Sequence, residues 1–221
     1  MLPRILSLLI GYCFGCFLTA ELIARHYAGK QAAELGETGN PGMANIMASL
    51  GFLPGIYTLI GDLCKCIFAM TLAWLLFREA GWVVTLYAGL GCTLGHDFPF
   101  WRRFRGGKGV ATTCIGIGIY HFLPALAAVL TGLAVTVFTK YLCISGPVIP
   151  AVFALIELLC KNREAALIGA VLTALSLLRN RVSLEGIRSG KTSPTDVIGA
   201  IRRKIGRRGQ AEDGRGGTPE P

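Results

Sequence analysis

Residues 106–109 read Gly-Gly-Lys-Gly, so three residues without a Cβ surround one ammonium group. Such a backbone can curl into positive-φ conformations and aim successive N–H groups at a single anion. Gly106, Gly107 and Gly109 would supply the amides, and Lys108 a full charge. Val110, Ala111 and Thr112 then open an apolar run. If that run is a helix, its positive end faces the same anion, with Thr112 in the first turn. Arg102, Arg103 and Arg105 add charge just upstream, behind the lead-in Gly95-His96-Asp97-Phe98-Pro99. The chemistry that suits this combination is phosphate binding. A nucleotide P-loop does not fit, because it needs Gly five residues before the Gly-Lys pair's Gly and Ser or Thr after the Lys. Those positions hold Arg102 and Gly109. A basic loop that only fixes membrane topology has a similar composition. The His-x-Phe-Pro lead-in and the triple glycine around one Lys favour a site.

The elements that must hold this stretch are apolar. The chain is 52% hydrophobic and 16% charged over 221 residues, against about 25% charged in an ordinary soluble domain. Its apolar residues come in runs near the ~20 residues that a spanning helix needs. The pattern predicts an all-α polytopic membrane protein with about seven transmembrane helices. They are placed at residues 2–24, 53–77, 81–94, 110–121, 122–139, 143–159 and 165–178. The second follows a short partial helix ending near Leu50, because Gly51, Pro54 and Gly55 interrupt the run. The fourth and fifth divide near Pro124, and Pro147 and Pro150 fall near the start of the sixth. Within the second, Asp62 and Lys65 share a face at i,i+3. Charges inside a span usually face the bundle interior, so this is read as a structural ion pair. Residues 1–200 form one membrane domain, and residues 201–221, basic and Gly-rich, read as a disordered tail.

The formal charge of +9 would suit nucleic acid, but its placement argues for membrane topology instead. Arg25, Lys30, Arg102, Arg103, Arg105, Lys108, Lys140 and the tail fall on one side of a seven-span chain, and only Arg4, Arg78, Lys161 and Arg163 on the other. By the positive-inside rule the amino terminus is outside and the carboxyl terminus cytoplasmic. The segments around residues 38–45, 95–112, 140 and 179–191 then share the cytoplasmic side. All eight Cys lie in or beside apolar runs and read as packing residues, so neither disulfides nor a metal site is expected.

The stretch Gly95-His96-x-Phe98-Pro99, Phe104 and Gly106-Gly107-Lys108-Gly109-Val110-Ala111-Thr112 resembles the central motif of the bacterial acyl-phosphate:glycerol-3-phosphate acyltransferases. Thr38-Gly39-Asn40-Pro41-Gly42-x-x-Asn45 resembles that family's first motif. Asp62-x-x-Lys65 resembles a pair its members carry in the second span. Lys140-Tyr141-x-x-x-Ser145 and residues 180–190 fall where the later motifs stand. The resemblance implies an inner-membrane enzyme that moves a fatty acyl group from acyl phosphate to the 1-hydroxyl of glycerol 3-phosphate, giving lysophosphatidic acid and phosphate. It implies no cofactor and no metal; membrane lipid is the surrounding partner, with no nucleic acid and no obligate protein partner.

By the same resemblance Gly106, Gly107, Lys108, Gly109 and Thr112 bind the donor phosphate, and Lys108 and His96 are catalytic. His96 is either a hydrogen-bonding orienter or a proton acceptor. Thr38, Gly39, Asn40, Gly42, Asn45, Ser145, Asn180 and Ser183 would bind the acceptor. Several acceptor positions depart from the family pattern. Thr38 stands for Ser, Ala48 for an Arg expected on the acceptor phosphate, Asn180 for His, Ser183 for Asn and Gly186 for Arg; Cys143 and Gly146 replace serines. Two alternatives stay open: an acyltransferase of the same fold with a different polyol-phosphate acceptor, or a non-catalytic transporter or lipid-binding membrane protein.

Overall fold

A computed structural model describes residues 1–36, 39–192 and 194. Among them every regular element is helical: α1 (Leu2–Gly15), α2 (Thr19–Ala28), α3 (Met43–Leu50), α4 (Phe52–Phe77), α5 (Val83–Asp97), α6 (Val110–Tyr120), α7 (Phe122–Thr139), α8 (Leu142–Leu159) and α9 (Arg163–Arg188). Residues 38 and 201–221 lie outside the described residues, and with them the Thr38 assignment and the proposed tail.

Among the described residues, five helical stretches are long and apolar enough to cross a membrane: Leu2–Ala28, Phe52–Ala80, Phe122–Thr139, Leu142–Leu159 and Arg163–Arg188. The chain is thus a multi-pass membrane protein. The two further spans expected from the sequence coincide with α5, of 15 residues, and α6, of 11. These are shorter than a full crossing at about 1.5 Å per residue. Large apolar side chains such as Phe68, Leu75, Leu123, Phe138 and Leu159 point outward, where lipid would meet them. Leu86, Leu90, Ile117, Ile149, Phe153 and Leu172 join α5, α6, α8 and α9 in the main core.

α1 and α5 approach closely because each carries two glycines four residues apart. A Cβ on Gly11 or Gly15 would run into the backbone of Ala88 or Cys92, and one on Gly91 or Gly95 into that of Leu8 or Tyr12. Small residues in this register let membrane helices pack backbone to backbone.

Three features of these helices matter for the site. The first apolar run is two helices, α1 and α2, interrupted at residues 16–18, with Leu18 extended. The carbonyls freed there are taken by other elements. Lys65 Nζ donates to Phe17 O at 2.8 Å and to Gly15 O at 3.3 Å, and Trp101 Nε1 donates to Cys16 O at 2.7 Å. An interrupted helix in a membrane requires such partners. Secondly, α6 and α7 divide at His121, which is extended (φ −148°), so Pro124 sits in the first turn of α7, where it is tolerated. Thirdly, the last helix does not end where its hydropathy falls. α9 continues through Arg179 to Arg188, and this polar extension carries Arg179 and Ser183 to the Gly-Lys turn. The early break is as expected: Gly51, at φ +99°, separates α3 from α4.

A polar cluster closes the far end of the bundle. Glu157 is fully buried, 2.6 Å from His121 Nδ1, and accepts from Asn162 Nδ2 at 2.7 Å. Beside it, Arg4 and Tyr87 both donate to Glu164.

Candidate active site

The Gly-Lys turn is folded back onto the end of α5. Gly106 N donates to Asp97 O at 3.0 Å and Gly107 N to His96 O at 2.9 Å. A Cβ on Gly107 would collide with the His96 ring, and one on Gly106 with His96 O and Pro99. Glycine is therefore required at both by proximity. At Gly109 it is required by conformation, since φ is +64°. Gly109 is the N-cap of α6, so the turn does open a helix.

Arg179 clamps the turn from α9. Its Nε donates to Gly107 O at 2.8 Å and its Nη2 to Gly106 O at 2.6 Å. The same guanidinium stacks on Phe98, 5.2 Å from the ring centroid. With both carbonyls engaged, and with the Gly106 and Gly107 amides given to Asp97 O and His96 O rather than to an anion as the sequence suggested, the turn offers the Lys108 side chain and the amides of Lys108 and Gly109. Lys108 Nζ donates to Ser183 Oγ at 2.8 Å, which ties α9 to the turn a second time. Burial lowers the Lys108 pKa from its ordinary value; nearby Cys143 opposes that shift and Arg179 adds to it.

Beneath the turn lies a charged core. His96 is 4% exposed. Its Nδ1 is 2.9 Å from Lys65 Nζ, which in turn is 2.9 Å from Asp62 Oδ1. Thr19 Oγ1 donates to the same Asp62 oxygen at 3.4 Å. Asp97, at the end of α5, is also buried, and neither of its carboxylate oxygens has a hydrogen-bond partner among the described residues. A Cβ on Gly109 would sit 2.8 Å and 3.0 Å from them. Thr112 faces inward, donating to Gly109 O at 3.0 Å and accepting from Thr93 Oγ1 at 3.1 Å. Its hydroxyl braces the N-terminal turn of α6.

Above the turn opens a cavity of about 1200 Å³. Lys108 and Gly106 line it on one side, Gly39 and Asn40 on another, and Ser183 with neighbouring residues of α9 on a third. Eight Arg and Lys residues border it against two carboxylates, Glu21 and Glu185. Glu21 is itself buried and committed. It pairs with Arg102 at 3.2 Å and Arg25 at 3.3 Å, and accepts from Ala32 N at 3.1 Å. The excess positive charge suits two phosphate groups.

Of the sequence-predicted residues, Gly39, Asn40, Gly106, Lys108 and Ser183 thus meet in one cavity. Others stand behind its wall. Gly42 caps α3, and Asn45 Nδ2 donates to Leu35 O at 2.9 Å. Ser145 Oγ donates to Leu142 O at 2.8 Å within α8. Asn180 is buried and donates to Ser176 O at 2.9 Å. Arg179, Asp97 and Glu21 were not singled out from sequence. Arg179 and Glu21 act across 72 and 81 residues of chain respectively, counting Glu21 to Arg102, and no local pattern announces such contacts. For Asp97 a weak signal existed, a carboxylate beside His96 at the end of an apolar run.

A family model described as glycerol-3-phosphate acyltransferase matches residues 5–190. Glycerol-3-phosphate acyltransferase 1 of Lactobacillus johnsonii is 34% identical over 205 residues, covering 93% of this chain and 98% of that protein. The glycerol-3-phosphate acyltransferase of Halorhodospira halophila is 34% identical over 199 residues, covering 86% and 95%. Among solved structures, PlsY, an integral membrane glycerol 3-phosphate acyltransferase in its glycerol 3-phosphate form, superposes with a TM-score of 0.77. That match covers 90% of this chain and 98% of the other at 24% identity, a likeness of fold. With 186 consecutive positions inside the family model and relatives matched nearly end to end, the chain belongs to the glycerol-3-phosphate acyltransferase family.

Proposed function

We propose that the chain transfers a fatty acyl group from acyl phosphate to the 1-hydroxyl of glycerol 3-phosphate. The glycerol oxygen bonds to the acyl carbon as the bond from that carbon to the phosphate oxygen breaks. The hydroxyl proton ends on the departing phosphate, and lysophosphatidic acid and inorganic phosphate leave. The observation that carries this reading is the convergence of Lys108 and the Arg179-held turn with Gly39 and Asn40 on one cationic cavity. Acyl phosphate is a mixed anhydride with a good leaving group, so the protein mainly supplies position and charge. Lys108, with the amides of residues 108 and 109, holds the donor phosphate, whose charge grows as the acyl bond breaks; Gly106 and Gly107 shape the turn behind it. Gly39, Asn40 and Ser183 face the acceptor. Asn45, Ser145, Asn180 and Thr112 support those walls from behind.

A seven-span chain in the inner membrane, with its amino terminus outside and this cavity on the cytoplasmic side, agrees with the lopsided placement of Lys and Arg. Phosphorylated substrates are met on that side.

A second acceptor is favoured by one observation. Ala48, where the resemblance places an Arg, is exposed on α3 and brings no cation to the cavity, while Asn180 is turned onto Ser176. A different polyol phosphate would meet the same walls. Purified protein with labelled acyl phosphate and a panel of polyol phosphates, read by mass spectrometry of the lipid, separates the two. Lysophosphatidic acid as the dominant product supports the first reading. Preference for another polyol phosphate installs the second, and no acylated lipid with any acceptor removes both.

A further inference from the structure

The ammonium of Lys65 is the centre of the charged core beneath the turn. It has three hydrogens and no acceptor capacity. Three acceptors lie at hydrogen-bonding distance: Phe17 O at 2.8 Å, Asp62 Oδ1 at 2.9 Å and His96 Nδ1 at 2.9 Å. A fourth, Gly15 O, is longer at 3.3 Å. A neutral amine has two hydrogens and could serve all three contacts only by accepting from Nδ1–H, and it would leave the buried Asp62 carboxylate with no charge opposite it. The ammonium form satisfies all three. His96 Nδ1 must then carry a lone pair, because two N–H groups cannot face each other across 2.9 Å. Asp62 Oδ1 is 3.7 Å from that nitrogen, too far to hold a hydrogen on it directly.

We propose that Lys65, held by Asp62 and by the broken end of α1, fixes His96 as the tautomer protonated on Nε2 and keeps it neutral. A second proton on Nδ1 would point at the ammonium. The other ring nitrogen abuts the place where a side chain on Gly107 would be. His96 therefore reaches the underside of the anion-binding turn as a hydrogen-bond donor. It orients the turn and its phosphate, and it does not take the acceptor hydroxyl's proton at Nε2. Lys65 and Asp62 are positioning residues in this scheme: they act through His96 and touch no substrate. The break in α1 gains a role as well, since its carbonyls help hold the ammonium that sets the tautomer. This inference rests on the reading of the turn as the donor-phosphate site.

The test is the ¹⁵N spectrum of the full chain, histidine-labelled, in lipid nanodiscs. The chain has three histidines, and a His96→Gln sample assigns the one of interest. The expected result is Nδ1 resonating as a bare ring nitrogen and Nε2 as a protonated one. A protonated Nδ1 overturns the proposal. Two variants extend the test. Lys65→Gln keeps an N–H donor for Nδ1 but leaves Asp62 without its charge partner, so the Nε2-protonated spectrum should persist even where yield and kcat fall. Lys65→Met removes the donor. A population protonated on Nδ1 should appear, and kcat should fall about tenfold with little change in KM for acyl phosphate. If the two variants lose activity alike with an unchanged His96 spectrum, the charge of the pair matters and the tautomer does not. Should Lys65→Met fail to fold, the wild-type spectrum decides. A chain with the expected spectrum that transfers no acyl group keeps the tautomer and removes the functional reading.

Discussion

Arg179 donates to the carbonyl of Gly107 at 2.8 Å, from a helix that begins at the opposite end of the bundle. A second donor on the same guanidinium reaches Gly106 O at 2.6 Å, so the fork spans two consecutive carbonyls of the Gly-Lys turn. A planar fork holds its two N–H groups at a fixed spacing, whereas an ammonium is a compact point donor on a flexible stem. Arg179→Lys should therefore retain the charge and lose the geometry. The expected outcome is at least a tenfold fall in kcat/KM for acyl phosphate with near wild-type thermal stability, measured by steady-state kinetics and a melting curve. Wild-type kinetics in Arg179→Lys would mean that the clamp does not shape the turn.

The Lys108 ammonium is needed charged, and burial has lowered its pKa. As pH rises through that lowered value the charge is lost, so activity should decline on the alkaline side below the ordinary lysine pKa of about 10.4. Lys108→Arg, which stays charged throughout, should move that limb to higher pH even if its overall rate is reduced. An alkaline limb at the same pH in both proteins assigns the titration to another group.

Removing one member of the Asp62–Lys65 pair leaves a buried charge without its partner. Asp62→Ala alone should lower the yield and the melting temperature, in line with roughly 3–5 kcal/mol for breaking a buried pair. Changing both to Ala should recover part of the loss, because no unpaired charge remains. The recovery is partial because Lys65 also bonds the carbonyls at the break of α1. The check is thermal unfolding in one detergent for the wild type, the single variant and the double.

How much of this was legible follows from where each signal resides. The turn at 106–109 was legible because three glycines around one lysine are a local pattern, and the break at Gly51 because glycine marks it. The break at residues 16–18 was not, since the carbonyls it exposes are satisfied by Lys65 and Trp101, far away in sequence. Hydropathy ended the last span near Leu178, yet α9 runs on to Arg188. A helix leaving the bilayer needs no apolar face, and its polar end packs on the turn through Arg179 and Ser183. The candidate list was read as a set of ligands. Thr112, Ser145 and Asn180 instead spend their visible hydrogen bonds on the backbone that shapes the walls.

Ala48 is exposed on α3, so a larger side chain there need not disturb packing. Ala48→Arg should leave the melting temperature unchanged and lower KM for glycerol 3-phosphate. The ceiling is about tenfold to a hundredfold, the worth of one hydrogen bond between charged groups. KM for acyl phosphate should stay the same, and unphosphorylated glycerol should gain nothing. A higher KM for glycerol 3-phosphate in this variant would show that the acceptor phosphate is held elsewhere in the cavity.

The central claim is that one cavity joins an acyl phosphate to a polyol phosphate. ³¹P NMR of the purified chain in lipid, supplied with acyl phosphate and glycerol 3-phosphate, tests it most directly. Acyl phosphate and glycerol 3-phosphate should disappear in equal amounts while inorganic phosphate and lysophosphatidic acid appear in the same amounts, and Lys108→Ala should slow all four signals together. Acyl phosphate lost with glycerol 3-phosphate untouched, or turnover unaltered in Lys108→Ala, would contradict it.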